Sequence, residues 1–155
     1  MNNVSIACQI LVSLLLAAAA FQDVRTRTIS NGWPLAILAL FPIAYGLGVV
    51  GGPLLSHGLH FVIALLIGMA LFALGWFGGG DAKLYAAIAL WFPLSSAIYL
   101  FFGVVMAGLV LAIGHLAVRL FQSSETRARA MREGKIAYGV AIAAGAILSL
   151  PRIML

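Results

Sequence analysis

The sequence predicts an all-α membrane protein with six transmembrane helices and no soluble domain. Of its 155 residues, 64% are hydrophobic and only 8% are charged, whereas a soluble domain is roughly half apolar and a quarter charged. Runs without a charged residue extend over 1–22, 28–80, 84–118 and 136–151, and about 20 apolar residues span a bilayer as a helix. Because little polar sequence remains, we expect residues 1–155 to form a single membrane-embedded domain.

Each uncharged run predicts one or two helices. The first run predicts a helix ending at Asp23; its small residues after leucines are typical of a secretory signal, but MNNVS lacks a basic start, so we expect a retained helix. The run over 28–80 breaks at VVGGPLLSHGL, which predicts helices at about 31–50 and 59–77. The run over 84–118 breaks at WFPLSS, which predicts a short fourth helix and a longer fifth one. A sixth helix is predicted at about 135–152.

The basic residues predict the orientation of the chain. Eight of the nine Lys and Arg residues lie in the first, third and fifth loops, and only Arg152 lies on the other side. Basic loops favour the cytoplasm, so these loops are expected inside and both termini outside. The polar stretch QSSETRARAMREGK is either a solvated basic loop that touches anionic lipid headgroups or a docking site for a substrate.

Two carboxylates are predicted to lie at the same cytoplasmic boundary. Asp23 ends the first helix, Asp81 opens the fourth, and the two helices between them return the chain to the side it left. A charge in the hydrocarbon costs roughly 2.5 to 3.5 kcal/mol, so two carboxylates in so apolar a chain need an explanation. They are either interfacial charges paired with Arg25, Arg27 and Lys83, or an aspartic protease pair.

Two carboxylates held close together share a proton, because both cannot readily ionise. The charged member takes a proton from water while the neutral member donates one to a peptide carbonyl, and a proton then reaches the departing amine. This chemistry needs no metal and no organic cofactor. Gly78, Gly79 and Gly80 precede Asp81 and lack a Cβ atom, which would let an unwound substrate approach the backbone. The triglycine therefore favours the protease hypothesis.

Three motifs, in order along the chain, resemble those of the prepilin peptidases, also called type IV leader peptidases. GGGDAK at 78–83 has the form of the G-x-G-D motif of membrane-embedded aspartic proteases. DVRTRTISN at 23–31 resembles the first-aspartate motif of the family. KIAYGVAIAAG at 135–145 resembles its third signature and contains Tyr138 and Gly139. The resemblance covers essentially the whole chain.

The resemblance implies an aspartic endopeptidase whose catalytic pair is Asp23 and Asp81. The implied substrate is a prepilin or pseudopilin precursor, cut between its basic leader and its hydrophobic helix on the cytoplasmic side of the bacterial inner membrane. The short chain is similar to the members that serve tight-adherence (Flp-type) pili. Because the cysteine-containing segment of the longer bifunctional members is missing, methyltransferase activity is not expected.

Other polar residues near these motifs have either a functional or a purely structural interpretation. Lys83 either holds a carboxylate in its ionised form or binds a substrate group, or it is an interfacial anchor. Asn31 is expected to cap the second helix or to hydrogen-bond toward the active site. Tyr138 either borders the substrate path or packs as an aromatic. His57 and His60 share a helix face without a nearby acid or cysteine, so no metal site is expected.

Two functions from other classes compete with the protease hypothesis. One is a non-enzymatic membrane subunit of a pilus or secretion apparatus, in which the aspartates make contacts between helices. The other is a small proton-coupled carrier that uses Asp81 as its titrating group. Such a carrier needs a path across the membrane, whereas both aspartates are predicted on one side. No nucleic-acid partner is expected.

Overall fold

The computed structural model describes residues 3–120 and 138–153, and within these residues the fold is all-helical. The helices are α1 (Asn3–Thr26), α2 (Gly32–Gly46), α3 (Leu54–Ala73), α4 (Gly79–Ala89), α5 (Ala97–Leu120) and α6 (Tyr138–Ser149), with short 3-10 helices at Leu94–Ser96 and Leu150–Arg152. The basic stretch at 122–135, and the third motif before Tyr138, lie outside the described residues. The predicted all-α class is confirmed, and the described part contains six α-helices.

Among the described residues, three stretches are long and apolar enough to cross a membrane, by length and composition: Asn3–Thr26, Leu54–Ala73 and Leu94–Val118. The helices at Gly32–Gly46 and Tyr138–Arg152 are apolar but shorter. Helix α4 has eleven residues, a length of about 16 Å at the helical rise of 1.5 Å per residue. That is about half of the hydrocarbon thickness, so α4 by itself does not have the length of a membrane span.

Several predicted helix boundaries differ from those observed; α2 ends at Gly46 and α3 at Ala73, each about four residues before its predicted end. Helix α1 continues past Asp23 to Thr26 and ends where Arg27 adopts the left-handed conformation, with φ of 54°. The N–H of Arg27 donates to the Asp23 carbonyl at 2.8 Å, as is typical of a helix C-terminus. Helix α3 begins at Leu54, earlier than predicted, because Pro53 lies at its N-cap and its carbonyl accepts from the Ser56 N–H at 2.9 Å. Asp23 therefore lies within the last turn of α1.

Helix α4 lies at the centre of the bundle. It packs against α3, α2 and α6, while α1 packs against α6 and α2, and α5 packs against α6. Most of α4 is buried, and so are Trp91 and Phe92 directly after it. The α5–α6 contact depends on Gly103 and Gly145, since a Cβ atom at either position would clash with the other helix. Such small residues let the backbones of membrane helices approach closely.

Two histidines of α3 hold the far end of α4. His57 lies with Nδ1 2.9 Å from the Leu90 carbonyl oxygen and Nε2 3.1 Å from the Gly51 carbonyl oxygen. His60 Nδ1 lies 2.8 Å from the Phe92 carbonyl oxygen. The Leu90 and Phe92 carbonyls follow the last turn of α4, where backbone acceptors lack partners within the helix. Both histidines therefore tie α3 to the end of α4.

Candidate active site

Asp23 is buried near the end of α1, where the first turn of α6 meets it. Its side chain is only 6% exposed, and its Oδ2 accepts a hydrogen bond of 3.0 Å from the Gly139 N–H. The first N–H groups of a helix have no partner within that helix, and the positive end of the helix dipole favours a carboxylate. The start of α6 thus holds the Asp23 carboxyl group in place through a backbone hydrogen bond.

Asp81 lies in the first turn of α4, after a glycine whose backbone is extended. Gly78, at the N-cap, has φ of −74° and ψ of 141°, and a Cβ atom there would lie 2.5 Å from Asp81 Oδ2. Within residues 3–120 and 138–153, Asp81 Oδ1 is a buried side-chain oxygen without a hydrogen-bond partner. An ionised oxygen buried in this way is costly, so the surroundings favour a protonated Asp81.

The carboxylates of Asp23 and Asp81 interact electrostatically. Asp81 lies in α4, outside the helices of membrane-spanning length. Burial, followed by the negative charge of Asp23, raises the pKa of Asp81 from 3.8 to about 6, against a smaller opposing effect of the Gly78 backbone. The pair therefore resembles two interacting acids, in which the charge of Asp23 contributes to the raised pKa of Asp81.

Each glycine of the triglycine contacts a different side chain of the same protein. A Cβ atom at Gly79 would lie 3.2 Å from Phe72 Cε2, and one at Gly80 would lie 2.9 Å from Ile29 Cβ. Gly79 and Gly80 are already helical, since α4 begins at Gly79. In this structure Phe72 approaches Gly79 and Ile29 approaches Gly80. The approach of a substrate to these glycines stays a prediction.

The sequence comparison agrees with the position of these residues. The pattern that defines the type IV leader peptidase family matches residues 10–113, which is well over half of the chain. The chain belongs to this family. The region that matches the type IV leader peptidases contains both Asp23 and Asp81 and ends before Gly139. No curated protein and no solved structure matches the chain.

In this leader peptidase family member, the two polar residues proposed to support the site contact each other. Lys83 Nζ donates to Asn31 Oδ1 at 3.0 Å. Asn31 occupies the N-cap position of α2, but its side chain makes no capping hydrogen bond. The predicted cap is therefore wrong, and the side chain instead joins the start of α2 to the first turn of α4.

Tyr138 borders the site through an aromatic contact. Its ring packs edge-on against Phe77 with 5.3 Å between ring centroids, and its side chain is 39% exposed. Tyr138 precedes Gly139, and Phe77 precedes Gly78. The two rings thus lie one residue from the glycines that contact the two carboxylates, which agrees with both interpretations of Tyr138, a packed aromatic and a residue at the edge of the site.

Two residues that were not among the predicted site residues make contacts near the aspartates of this leader peptidase. Ile29 packs between α4 and α6, because Cβ atoms at Gly80 and Gly139 would each lie 2.9 Å from its side chain. Gln22 Oε1 accepts from Trp33 Nε1 at 2.6 Å and from the Ser30 N–H at 3.3 Å. The available signal for Ile29 was its place as a single large apolar residue among polar ones; Gln22 gave none.

Proposed function

We propose that this chain is a prepilin peptidase that removes the basic leader from prepilins or pseudopilins, with Asp23 and Asp81 as its catalytic pair. The supporting observation is the interaction between two carboxylates from different helices, one hydrogen-bonded by the start of α6 and the other buried with a raised pKa. The cut would lie at the cytoplasmic boundary of the inner membrane, where a basic leader meets a hydrophobic helix without charge entering the bilayer.

The two aspartates have different roles in the proposed reaction. Ionised Asp23 takes a proton from water, and the water oxygen attacks the scissile carbonyl carbon. Protonated Asp81 donates its proton to the carbonyl oxygen, which gives a neutral tetrahedral intermediate. When the C–N bond breaks, Asp23 returns its proton to the departing nitrogen and Asp81 recovers a proton from a hydroxyl of the intermediate. Both carboxyl groups end in their starting forms.

The supporting role of Lys83 is indirect. Its bond to Asn31 joins α2 to the turn that carries Asp81, so Lys83 is a positioning residue in this proposal. Because the ammonium group is exposed, the bond contributes only modestly, as is typical of polar contacts in water. Loss of Lys83 is therefore expected to slow the reaction without stopping it.

Substitution of each aspartate by asparagine tests the proposal. Asn has nearly the shape of Asp but cannot carry the proton, so Asp23→Asn and Asp81→Asn are each expected to abolish processing, while Lys83→Ala only reduces it. Processing would be followed by gel shift of candidate precursors, at matched amounts of membrane-inserted enzyme, with N-terminal sequencing of the products. Near-normal processing by Asp23→Asn would contradict the two-carboxylate mechanism.

The main alternative is a non-enzymatic subunit of a pilus or secretion apparatus. Purified wild-type protein in liposomes separates the two, since a peptidase needs no other component to cut a precursor. Precursor left intact by the wild type, across a panel of prepilins, would favour the subunit. Addition of a chelator is expected to leave the rate unchanged, because the proposed mechanism uses no metal.

A further inference from the structure

An apolar groove runs between α3 and α5, and one of its ends lies at Phe77 and Tyr138, beside the candidate active site. It encloses about 420 Å³. One wall is a face of α3 formed by Ile63, Ile67 and Leu71, and the other is a face of α5 formed by Ile98, Phe101 and Val105. Both sets are spaced by three or four residues, as side chains on one face of a helix are. Each wall is therefore formed by one face of a helix.

In the part of the chain that the structure describes, these two helix faces are only partly covered by other helices. Helix α3 packs mainly on α4, and α5 packs mainly on α6, so the groove lies between two packed pairs. Ile67 is 56% exposed and Phe101 is 52% exposed. The α3 wall continues to His60 at the far end, which makes it about 16 Å long at 1.5 Å per residue. That is three turns of a helix.

The near end of the groove meets the candidate active site. Phe77 and Tyr138 line this end and contact each other across it. The next residue after Phe77 is Gly78, against Asp81, and the next after Tyr138 is Gly139, bonded to Asp23. The ring pair at this end of the groove is thus one residue along the chain from each glycine that contacts a carboxylate.

We propose that this groove binds the hydrophobic helix of the precursor, so that the peptide bond before that helix lies beside Phe77 and Tyr138. The inference rests on the proposed function and adds where the substrate lies. The groove is apolar along its length, and one end lies beside the candidate active site. Because the cleaved bond of a precursor directly precedes an apolar helix, that helix is the segment that fits the groove. Side-by-side packing of helices in lipid depends on such shape complementarity.

Filling the groove tests the proposal. Ile67→Trp and Val105→Trp place a large ring between its walls. Leu66→Trp and Val110→Trp are matched controls, because these exposed residues lie on other faces of the same helices, away from the groove. In proteoliposomes the groove variants are expected to raise KM for a full-length precursor about tenfold with kcat little changed, as when uniform binding is lost. The controls should remain within about twofold of wild type.

Photo-crosslinking gives a second readout that does not depend on a bulky ring being accommodated. Benzoylphenylalanine at position 67 or 105 of the Asp81→Asn protein should crosslink to the hydrophobic helix of the precursor, and the same group at 66 or 110 should not. Equal crosslinking at all four positions, or crosslinks at 67 and 105 to lipid alone, would contradict binding of the precursor helix in the groove. So would wild-type kinetics in both groove variants, while the proposed function stands if the wild type cleaves. A wild type that cleaves no precursor removes both.

Discussion

Position 139 accommodates only a glycine if Asp23 is to keep its hydrogen bond. A Cβ atom there would lie 2.9 Å from Asp23 Oδ2 and 2.9 Å from Ile29 Cδ1. Gly139→Ala is therefore expected to move Asp23 and to lower processing by about 100-fold, since small displacements of a catalytic group have effects of that order. Gel-shift assays at matched membrane levels measure the change.

Gly58→Ala is the matched control for Gly139→Ala, because Gly58 is also helical and has no atom within 4 Å of the added methyl group. It should process precursor like the wild type. If Gly139→Ala did the same, the hydrogen bond from α6 would have no part in the reaction.

The raised pKa of Asp81 predicts the pH dependence of cleavage. The proposed reaction needs Asp81 protonated, and its pKa is raised to about 6, so the acid form persists above the usual range of a carboxyl and is lost as pH rises through about 6. The value of kcat/KM should therefore fall on the alkaline side with an apparent pKa near 6, as reported by the free enzyme. A rate independent of pH between about 5 and 8 would contradict the assignment.

Sequence reasoning can single out residues whose chemistry is visible in the chain, but not residues whose role is a contact between helices. Asp23 and Asp81 are rare charges in apolar surroundings, so each indicates a function by itself. Ile29 and Gln22 are common residue types, and their importance comes from the helices that surround them. The Asn31 cap was wrong for the same reason, because Lys83 arrives from a distant part of the sequence.

At the scale of the helices, the contact of α3 with the end of α4 is predicted to contribute to stability. His57→Phe keeps an aromatic ring but removes both polar contacts to backbone carbonyls. A buried acceptor left unsatisfied costs about 1 to 3 kcal/mol, so this variant should unfold at a lower temperature in detergent.

His115→Phe is the matched control, because His115 is exposed on α5. It should leave the unfolding temperature unchanged. Equal unfolding temperatures for wild type and His57→Phe would show that the His57 contacts add nothing to the free energy of unfolding.

Helix breaks could be predicted wherever glycine and proline interrupt an apolar run, but the exact helix starts could not. The chain breaks near Gly51 and Pro93 as expected. Helix α3 nevertheless includes Ser56 and His57, which lie within the predicted break VVGGPLLSHGL. Pro53 can precede a helix, and both polar side chains find hydrogen-bond partners in the fold. His57 binds backbone carbonyls, and Ser56 Oγ accepts from the Leu94 N–H at 2.9 Å.

At the scale of the whole molecule, the orientation in the membrane stays a prediction from the basic residues. Single-cysteine labelling tests it in a Cys8→Ser background. Trp76→Cys and Leu47→Cys are suitable because both side chains are exposed, at opposite ends of α3. Trp76→Cys should react only when the cytoplasmic face is accessible, and Leu47→Cys from outside. The reverse pattern would contradict the cytoplasmic placement of the aspartates.

The meeting of the two aspartates illustrates what a topological argument can and cannot give. Counting helices predicts that Asp23 and Asp81 share one end of the bundle, but it does not give their lateral distance. Their interaction comes from the central position of α4, which packs against α2, α3 and α6. Nothing in the local sequence around either aspartate specifies which helices become neighbours.

The fixed length of α4 sets both the direction and the depth of Asp81. Its far end is held by His57 and His60, and one added residue turns a helix by about 100° and lengthens it by 1.5 Å. An alanine inserted after Ala86 would therefore point Asp81 away from Asp23. Four inserted residues would nearly restore its angle yet displace it by about 6 Å along the bundle. In the proposed reaction, the number of residues between Asp81 and the carbonyls that the histidines contact therefore determines the level in the membrane at which a precursor is cut.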